Sequence, residues 1–426
     1  MKAVILAAGE GSRLWPISEN VPKPLVKILG KYFLEYQIIE LSRIGIKDVI
    51  IVKGKNFNDL FEIFKNEMSE KYGVIITYMV QEQSLGTGDA FFTIKNIIDE
   101  PFIGLMGDNH YQASDIEKLI NVFKNTNKSV IGGFPVNNPE NYGVIMTNDK
   151  KMVTQIVEKP KAPTSNLINA AIYIFKPEIF KLISLLKPQE NGEIYITDAI
   201  NILIEKDDLV CEQIETWYDL GKPYQILPLT KFFFKNYKRF NAMSKYTELM
   251  NGVLIARDVM IGPNVEFYPE NGLIIVEENS KILGSTVITG NNYIGPDCEI
   301  INSIIRETTV LIGENTVKNS EIKNSTLGFK TKAPHFNYIG DSYIGENCNF
   351  GAGAKIANLR NDNKSIKMFI EKKGQLVDTG LRKLGIFTGN NVNFGINSMI
   401  AQPGILIGSN VKILPGEKIF RNKVTN

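Results

Sequence analysis

Val276-Glu277-Glu278-Asn279-Ser280-Lys281-Ile282-Leu283-Gly284-Ser285-Thr286-Val287-Ile288-Thr289-Gly290-Asn291-Asn292-Tyr293-Ile294-Gly295-Pro296-Asp297-Cys298-Glu299-Ile300 has an aliphatic residue at every sixth position: Val276, Ile282, Ile288, Ile294 and Ile300. The same step recurs in Ile255, Ile261 and Phe267, in Ile344, Phe350 and Ile356, and in Ile407, Ile413 and Ile419. Glycine often follows the aliphatic, as in Ile261-Gly262, Ile294-Gly295, Ile312-Gly313 and Ile339-Gly340. A half-buried strand would alternate at period two instead. The six-residue step marks a hexapeptide solenoid of short parallel strands, with the aliphatic filling the interior of each face. Glycine or asparagine takes the corners, which need unusual backbone angles. The pattern begins at about residue 253.

Before residue 230 the chain reads differently. Apolar runs at Ala3–Ala8, Val49–Val52, Ile75–Val80, Phe102–Met106, Val130–Phe134 and Ala171–Phe175 alternate with helical spacing at Leu34–Arg43, Leu60–Glu70, Ala90–Ile97 and Asp115–Lys124. Such alternation implies a doubly wound, mostly parallel α/β sheet. Ligands of such sheets bind beyond the carboxyl ends of the strands. Between the halves lies Lys231-Phe232-Phe233-Phe234-Lys235-Asn236-Tyr237-Lys238-Arg239-Phe240, basic and aromatic. It reads as a linker helix docking its aromatic face on a domain, because its aromatics spread around most of a helix and form no membrane-binding stripe. The expected division is 1–230, a linker helix over 231–252, and 253–426.

Composition removes several function classes. The 426 residues hold 48 Lys and Arg against 46 Asp and Glu, a net charge of +2. That near-balance argues against a nucleic-acid partner, which needs a clustered basic excess. With only two histidines, His110 and His335, a site built on several His ligands is nearly excluded. Any metal is then a hard ion held by carboxylates. Cys211, Cys298 and Cys348 are odd in number and far apart. They suggest neither structural zinc nor a disulfide framework, and the expected compartment is the reducing cytosol. The apolar N-terminal run breaks at Gly9-Glu10-Gly11, which favours a buried first strand over a signal peptide. No apolar segment approaches the roughly 18 residues that a membrane span needs.

The first strand leads into Leu6-Ala7-Ala8-Gly9-Glu10-Gly11-Ser12-Arg13-Leu14-Trp15-Pro16, followed by Pro22-Lys23-Pro24-Leu25. Two glycines let backbone N–H groups approach phosphate oxygens closely. The third glycine of a dinucleotide fingerprint is missing, Leu14 standing at its position beside Arg13, and Walker spacing is absent. Arg13 and Lys23 therefore suit a triphosphate clamp.

These residues resemble the signature of sugar-1-phosphate nucleotidylyltransferases, and the resemblance covers about residues 1–230. It implies that Leu6, Ala8, Gly9, Gly11, Gln81 and Gly86 bind the nucleotide. Thr87 of Leu85-Gly86-Thr87-Gly88, Gly143 of Tyr142-Gly143, Glu158 of Glu158-Lys159-Pro160 and Asn169 of Asn169-Ala170 would bind the sugar phosphate. Arg13 would hold the leaving pyrophosphate, and Lys23 would bridge the α-phosphate and the attacking phosphate. Asp108, after an apolar strand, and Asp219 of Trp217-Tyr218-Asp219-Leu220-Gly221 would hold Mg²⁺. Such transfer needs positioning and charge neutralisation. The nucleophile is already anionic, so no general base is required, and His110 reads as a loop or supporting residue.

The tail holds a second set: His335 and Tyr338 in Lys332–Asp341, Asn349 and Ala352 in Asn347–Ala354, and Asn358 in Ile356–Arg360. This block resembles the acetyltransferase domain of the bifunctional glucosamine-1-phosphate N-acetyltransferase and N-acetylglucosamine-1-phosphate uridylyltransferase family, most closely its archaeal form. An amine must lose a proton to attack a thioester, and histidine is the natural base. By resemblance His335 is that base, and Lys323 and Tyr338 hold and orient the sugar phosphate. Asn349 and Asn358 orient the substrate or stabilise the oxyanion, Lys364 and Lys367 influence the sugar-phosphate site, and Ala352 lies by acetyl-CoA. The implied fold is an α/β nucleotidyltransferase domain followed by a left-handed parallel β-helix of hexapeptide repeats.

Departures from the family pattern keep alternatives open. Ser84 replaces a second glutamine, and the Trp217–Gly221 motif is closer to thymidylyltransferases, so UTP and dTTP both stand as co-substrates with acetyl-CoA. Ile396 occupies a serine position that contacts acetyl-CoA, and the basic loop before the histidine is reduced to Arg306-Glu307. The alternative is a monofunctional glucose-1-phosphate thymidylyltransferase-like enzyme whose β-helix is an assembly module. Solenoids of this kind resemble trimer-forming acyltransferases, so a homotrimer, or a dimer of trimers, is expected.

Overall fold

Every residue of the strand Ala3–Ala7 is buried, as a strand covered on both faces must be. It pairs in parallel with Asp48–Lys53 on one side and Phe102–Met106 on the other, and Asp48–Lys53 pairs in parallel with Ile75–Val80. The computed structural model describes residues 1–425, the side chain of Lys372 excepted. Contacts divide the chain into two units. One gathers Met1–Glu10, Pro22–Leu25 and Phe33–Asp219; the other gathers Gly11–Val21, Val26–Tyr32 and the residues from Leu220 onward.

In the first unit the sheet order runs Val153–Glu158, Gly143–Thr147, Leu167–Phe175, Phe102–Met106, Ala3–Ala7, Asp48–Lys53, Ile75–Val80. Ser129–Pro135 joins Leu167–Phe175 and carries Leu209–Gln213. The sheet is parallel at its centre. It turns mixed where Leu167–Phe175 follows the hairpin Gly143–Thr147 and Val153–Glu158 and enters antiparallel. The expected helix over Ala90–Ile97 is instead Thr87–Phe92 followed by i→i−3 turns. Thr93 Oγ1 donates to the Ala90 carbonyl at 2.8 Å, which competes with regular helix bonding there.

The second unit is a left-handed parallel β-helix with three faces. Among the described residues its sheets contain nine, eight and eight strands, and strands on one face recur once per coil. Ile282, Ile288, Ile294, Ile300, Ile305, Val317, Ile322, Ile339 and Ile344 are fully buried along its axis. Burial of each such side chain contributes about 1.5–3 kcal/mol. The six-residue step is not uniform. The step shortens to five from Ile300 to Ile305, Val317 to Ile322, Ile322 to Leu327 and Ile339 to Ile344. Paired positions therefore advance by 17 residues in Ile304–Glu321, Glu321–Tyr338 and Tyr338–Lys355. The shortened corners turn through left-handed residues such as Asn302, Asn319 and Asp341, with φ of 48°, 50° and 52°. Short polar side chains visit that region more readily than other non-glycine residues.

Three further pieces belong to this unit. Residues 357–385 leave the coil after the third face and form a hairpin of Lys367–Ile370 and Gln375–Asp378. The segment Gly11–Val21 is tied to a late coil: Ser409 N–H donates to Glu19 Oε2 and Asn20 Nδ2 donates to Ser409 Oγ, both at 2.8 Å. Instead of one linker helix over 231–252, the chain forms Ile226–Lys235, a short helical turn at Tyr237–Phe240, and the strand Thr247–Met250. Asn236 interrupts the helix, its side-chain amide donating to the Phe232 carbonyl at 2.9 Å. No helix among the described residues is long and apolar enough to cross a membrane.

Candidate functional sites

In the first unit Phe102–Met106 ends at Gly107, whose N–H donates to the Leu6 carbonyl at 2.8 Å. A β-carbon at Gly107 would lie 3.0 Å from that same oxygen, so glycine lets the strand ends close up before Asp108. The next two residues, Asn109 and His110, pair antiparallel with Tyr218 and Asp219, with Asp219 opposite Asn109. This two-residue ladder brings Asp108 and Asp219 together from segments far apart in sequence. Lys23 completes the cluster. Its ammonium donates to Asp108 Oδ2 and lies 3.8 Å from Asp219 Oδ1, and the residue is 7% exposed. Two carboxylates around one ammonium leave a net negative charge. The donors are all oxygen, which fits a small hard cation that completes its shell with water and phosphate. Among the described residues no group of three or more His, Cys, Asp or Glu offers another metal site.

The surroundings of that cluster were not legible in the motifs. Gln37 Nε2 donates to the Met106 carbonyl at 2.7 Å and also to the Asn109 carbonyl, bracing the turn that holds Asp108. His110 is fully buried with its ring edge-on to Tyr36, an internal partner rather than a loop residue. Asn109 Nδ2 donates to Tyr111 Oη at 3.0 Å, and Tyr111 Oη contacts the carbonyls of Ala170 and Ala171 at 2.7 and 3.0 Å. Burial pushes the Tyr111 hydroxyl pKa up, so it remains a donor. Those carbonyls belong to a bulge in Leu167–Phe175 where Ala171 has a φ of 56°. Asn169 stabilises the bulge by accepting from Ala171 N–H at 2.9 Å. A run of buried polar residues after Asp108 was the available signal.

Gly143, Glu158 and Asn169 converge. A β-carbon at Gly143 would lie 3.0 Å from Glu158 Oε2 and 3.8 Å from the Asn169 β-carbon. Gln81 donates to the Gly86 carbonyl at 3.0 Å and to Asp89 at 2.8 Å, so its amide shapes the loop at 85–88. Gly86 has a φ of 94°, and a β-carbon there would lie 2.6 Å from the Ile194 carbonyl. Thr87 Oγ1 accepts from Ile196 N–H at 3.1 Å. Leu6 is buried as the last but one residue of the first strand, and Ala8 lies just beyond the strand's end at Ala7. Open space surrounds the position of a Gly9 β-carbon, and Gly11 turns with a φ of 68°. Arg13 is exposed on the short turn Ser12–Leu14.

The β-helix set occupies the two ends of one third-face strand, Tyr338–Gly340. At the corner before it, His335 is exposed and its carbonyl accepts from Gly353 N–H at 3.1 Å. His335 therefore stacks on the Gly351-Ala352-Gly353 corner of the next coil. Ile396 follows beneath, since Asn397 N–H donates to the Ala352 carbonyl at 2.8 Å. Asn349 is exposed on the second face, opposite Lys332. At the corner after the strand, Asp341 accepts from Asn324 Nδ2 and Asn358 Nδ2, each at 2.6 Å. Asn358 Nδ2 also donates to Tyr338 Oη at 3.0 Å. This meeting depends on Gly340, where a β-carbon would lie 2.5 Å from Asn358 Nδ2 and 2.7 Å from Tyr338 Oη. Lys323 sits one coil above Gly340 and pairs with Glu307 at 3.4 Å. Lys364 and Lys367 stand apart on the 357–385 excursion and are both exposed. Lys367 lines a different cavity, of about 460 Å³, with Arg360 and Gln402.

The family model for nucleotidyl transferase matches residues 2–235. The chain is 37% identical to the bifunctional sugar-1-phosphate nucleotidylyltransferase/acetyltransferase of Sulfurisphaera tokodaii, over 99% of this chain and 98% of that one. It is 38% identical to the bifunctional protein GlmU of Methanococcus vannielii, over 96% and 92%. Among solved structures, a putative glucose-1-phosphate thymidylyltransferase from Bacillus anthracis in complex with a sucrose superposes with a TM-score of 0.51 at 28% identity, covering 55% of this chain and 94% of that one. With a nucleotidyl transferase match over its first half and likeness to two-activity relatives over nearly its whole length, the chain belongs to the family of bifunctional sugar-1-phosphate nucleotidylyltransferase/acetyltransferases.

Proposed function

We propose that this chain makes UDP-N-acetylglucosamine in two steps: it acetylates glucosamine-1-phosphate with acetyl-CoA, then transfers a uridylyl group from UTP to the product and releases pyrophosphate. The observation that carries the proposal is the presence of two chemically distinct residue sets in one chain. Lys23, Asp108 and Asp219 form a charge cluster, and His335 lies one short strand from the Tyr338–Asn358–Asp341 network.

In the acetyl step His335 takes the proton of the amine as nitrogen bonds to the thioester carbonyl. The C–S bond then breaks and the proton passes to the departing coenzyme A sulfur. The strand Tyr338–Gly340 spans only about 10 Å at roughly 3.3 Å per residue. The amine and the phosphate of the acceptor sit on adjacent sugar carbons, so the side chains of His335 and of Lys323, Tyr338 and Asn358 converge from the two corners on one sugar. Asn349 and Asn358 orient the sugar, Ala352 leaves room for the coenzyme arm, and Lys364 and Lys367 act from the excursion.

In the nucleotidyl step a phosphate oxygen of the sugar attacks the α-phosphorus and the bond to pyrophosphate breaks. Lys23 holds the two phosphates and Arg13 the leaving group. Leu6, Ala8, Gly9, Gly11, Gln81 and Gly86 seat the nucleotide, and Thr87, Gly143, Glu158 and Asn169 seat the sugar. Asp108 and Asp219 would hold Mg²⁺, which when bound neutralises phosphate charge. The roles divide as 1–230 for nucleotidyl transfer and 253–426 for acetyl transfer, joined through 231–252. A cytoplasmic homotrimer, or a dimer of trimers, is the assembly we infer. The test is a panel of sugar-1-phosphates against UTP and dTTP, run beside coenzyme A release from acetyl-CoA with glucosamine-1-phosphate. Pyrophosphate release with dTTP and glucose-1-phosphate, and no coenzyme A release, would replace this reading with the monofunctional one.

A further inference from the structure

On the first face of the β-helix both sides of the strands are dry. Ile274–Val276, Thr309–Leu311, Ile386–Thr388 and Ile405–Ile407 are buried at every position, whereas Lys281 of Lys281–Leu283 on the second face is exposed. Side chains alternate along a strand, so Ile275, Val310, Phe387 and Leu406 point away from the axis, and all four are fully buried. The early segment Gly11–Val21 belongs to the same unit and meets the β-helix just past Ile405–Ile407. A β-carbon at Gly408 would lie 3.2 Å from Trp15 Cζ2, and Trp15 is 3% exposed. Ser409 N–H donates to Glu19, and Ser409 Oγ accepts from Asn20 and, at 3.0 Å, from Asn390 N–H of the coil before. On the other side, Ser12–Leu14 lies beside the hairpin turn Glu371–Lys373. Asn422 ties that turn down, donating to the Phe369 carbonyl at 2.9 Å and to Glu371 at 3.0 Å, while its own carbonyl accepts from Leu406 N–H at 2.9 Å.

Arg13 lies within this anchorage, on the turn Ser12–Leu14 and two residues before Trp15. We propose that Trp15, Glu19 and Asn20 are positioning residues for nucleotidyl transfer. They hold the loop that carries Arg13 against the β-helix, and so fix where its guanidinium receives the leaving pyrophosphate. The inference rests on the role given to Arg13 above and deepens it. An exposed arginine on a free loop would have to order both backbone and side chain when an anion arrives. A loop already fixed at its backbone leaves only the side chain to order, and preorganisation of that kind strengthens anion binding. The β-helix then serves both reactions: it carries the acetyl-transfer residues on its corners and holds a phosphate-binding loop beside its first face.

The experiment runs nucleotidyl transfer in reverse on the full chain, with inorganic pyrophosphate and UDP-N-acetylglucosamine, or dTDP-glucose if the wild type accepts only that. The variants are Trp15→Ala, the double change Glu19→Ala with Asn20→Ala, and Glu19→Gln, which keeps an acceptor for Ser409 N–H. Arg13→Ala is made alone and combined with each of the first two. Trp15→Ala should raise KM for pyrophosphate on the order of tenfold, less than the roughly 10²-fold that a 1 Å misplacement can cost. Glu19 and Asn20 are exposed, and their double change should raise it about threefold, the scale of one net hydrogen bond. KM for the nucleotide sugar should not change, and Glu19→Gln should stay near the wild type. In the Arg13→Ala background either change should add less than about twofold, because residues that act through one group are not additive. Coenzyme A release and the size of the native assembly serve as folding controls for the β-helix.

A rise that is as large in the Arg13→Ala background overturns the proposal, and so does one matched by the nucleotide sugar, since either would mark the anchor as support for the fold alone. If Arg13→Ala by itself leaves the pyrophosphate KM unchanged, the role given to Arg13 falls and the proposal with it. If Arg13→Ala raises that KM and the anchor variants do not, the role stands and the proposal alone is overturned. Should Trp15→Ala fail to fold, the double change decides by the same criteria.

Discussion

Asp108 and Asp219 meet through a ladder two residues long, and Lys23 reaches them from a third segment. Asn324, Asp341 and Asn358 meet in another way: each is 17 residues from the next, one coil of the β-helix. His335 and Ala352 obey the same spacing. The first cluster exists because an irregular topology folds remote strands together. The second exists because a repeat stacks equivalent corners, so partners of a site residue are found by stepping one coil. The clusters also differ in chemistry. In the proposed reading one gathers fixed charges for reactants that are already anionic. The other sets an exposed histidine, His335, at one end of a strand and a hydrogen-bonded polar network at the other.

The widest separation of the two regions comes from His335→Ala. Loss of a general base should lower acetyl transfer by about 10²–10⁴-fold. Nucleotidyl transfer should be unchanged in the same preparation, and a fall in both would merge the two sites. The reciprocal change is Asp108→Asn. It removes one of two carboxylates around the buried Lys23 ammonium, and nucleotidyl transfer should fall on the order of 10²–10³-fold, as for other preorganised electrostatic groups. Coenzyme A release should continue at the wild-type rate.

Gly340→Ala sharpens the contrast without touching a reacting group. Its new β-carbon would meet Asn358 Nδ2 and Tyr338 Oη and must push them apart. Acetyl transfer should drop about tenfold, roughly the worth of one or two hydrogen bonds, while pyrophosphate release holds. The smallest effect is expected at the thiols. Burial pushes Cys211 and Cys298 up to about 12 and Cys348 up to about 11. Both units should therefore resist a thiol reagent at pH 8, where little thiolate forms, and all three cysteines should react once the chain is unfolded. Fast labelling of Cys348 in the native protein would mark the β-helix as the looser region.

The strands of both units and the corners of the β-helix were legible in the sequence, because they repeat a backbone geometry every few residues. The apolar run at Ala3–Ala7 and the row from Val276 to Ile300 are local statements, and burial follows them. The glycines at 9, 11 and 86 were legible for the same reason, since each answers a demand of its own backbone. The five-residue steps after Ile300, the bracing of Asp108 by Gln37 and Asn109, and the Tyr111 link to the Ala170 bulge were not. Nor was the docking of Trp15 and Glu19 on a late coil of the β-helix. Composition and period set which elements form and which face turns inward. Only the tertiary structure decides which remote side chains share a volume, because that depends on how loops close and sheets pack, and neither leaves a period in the chain.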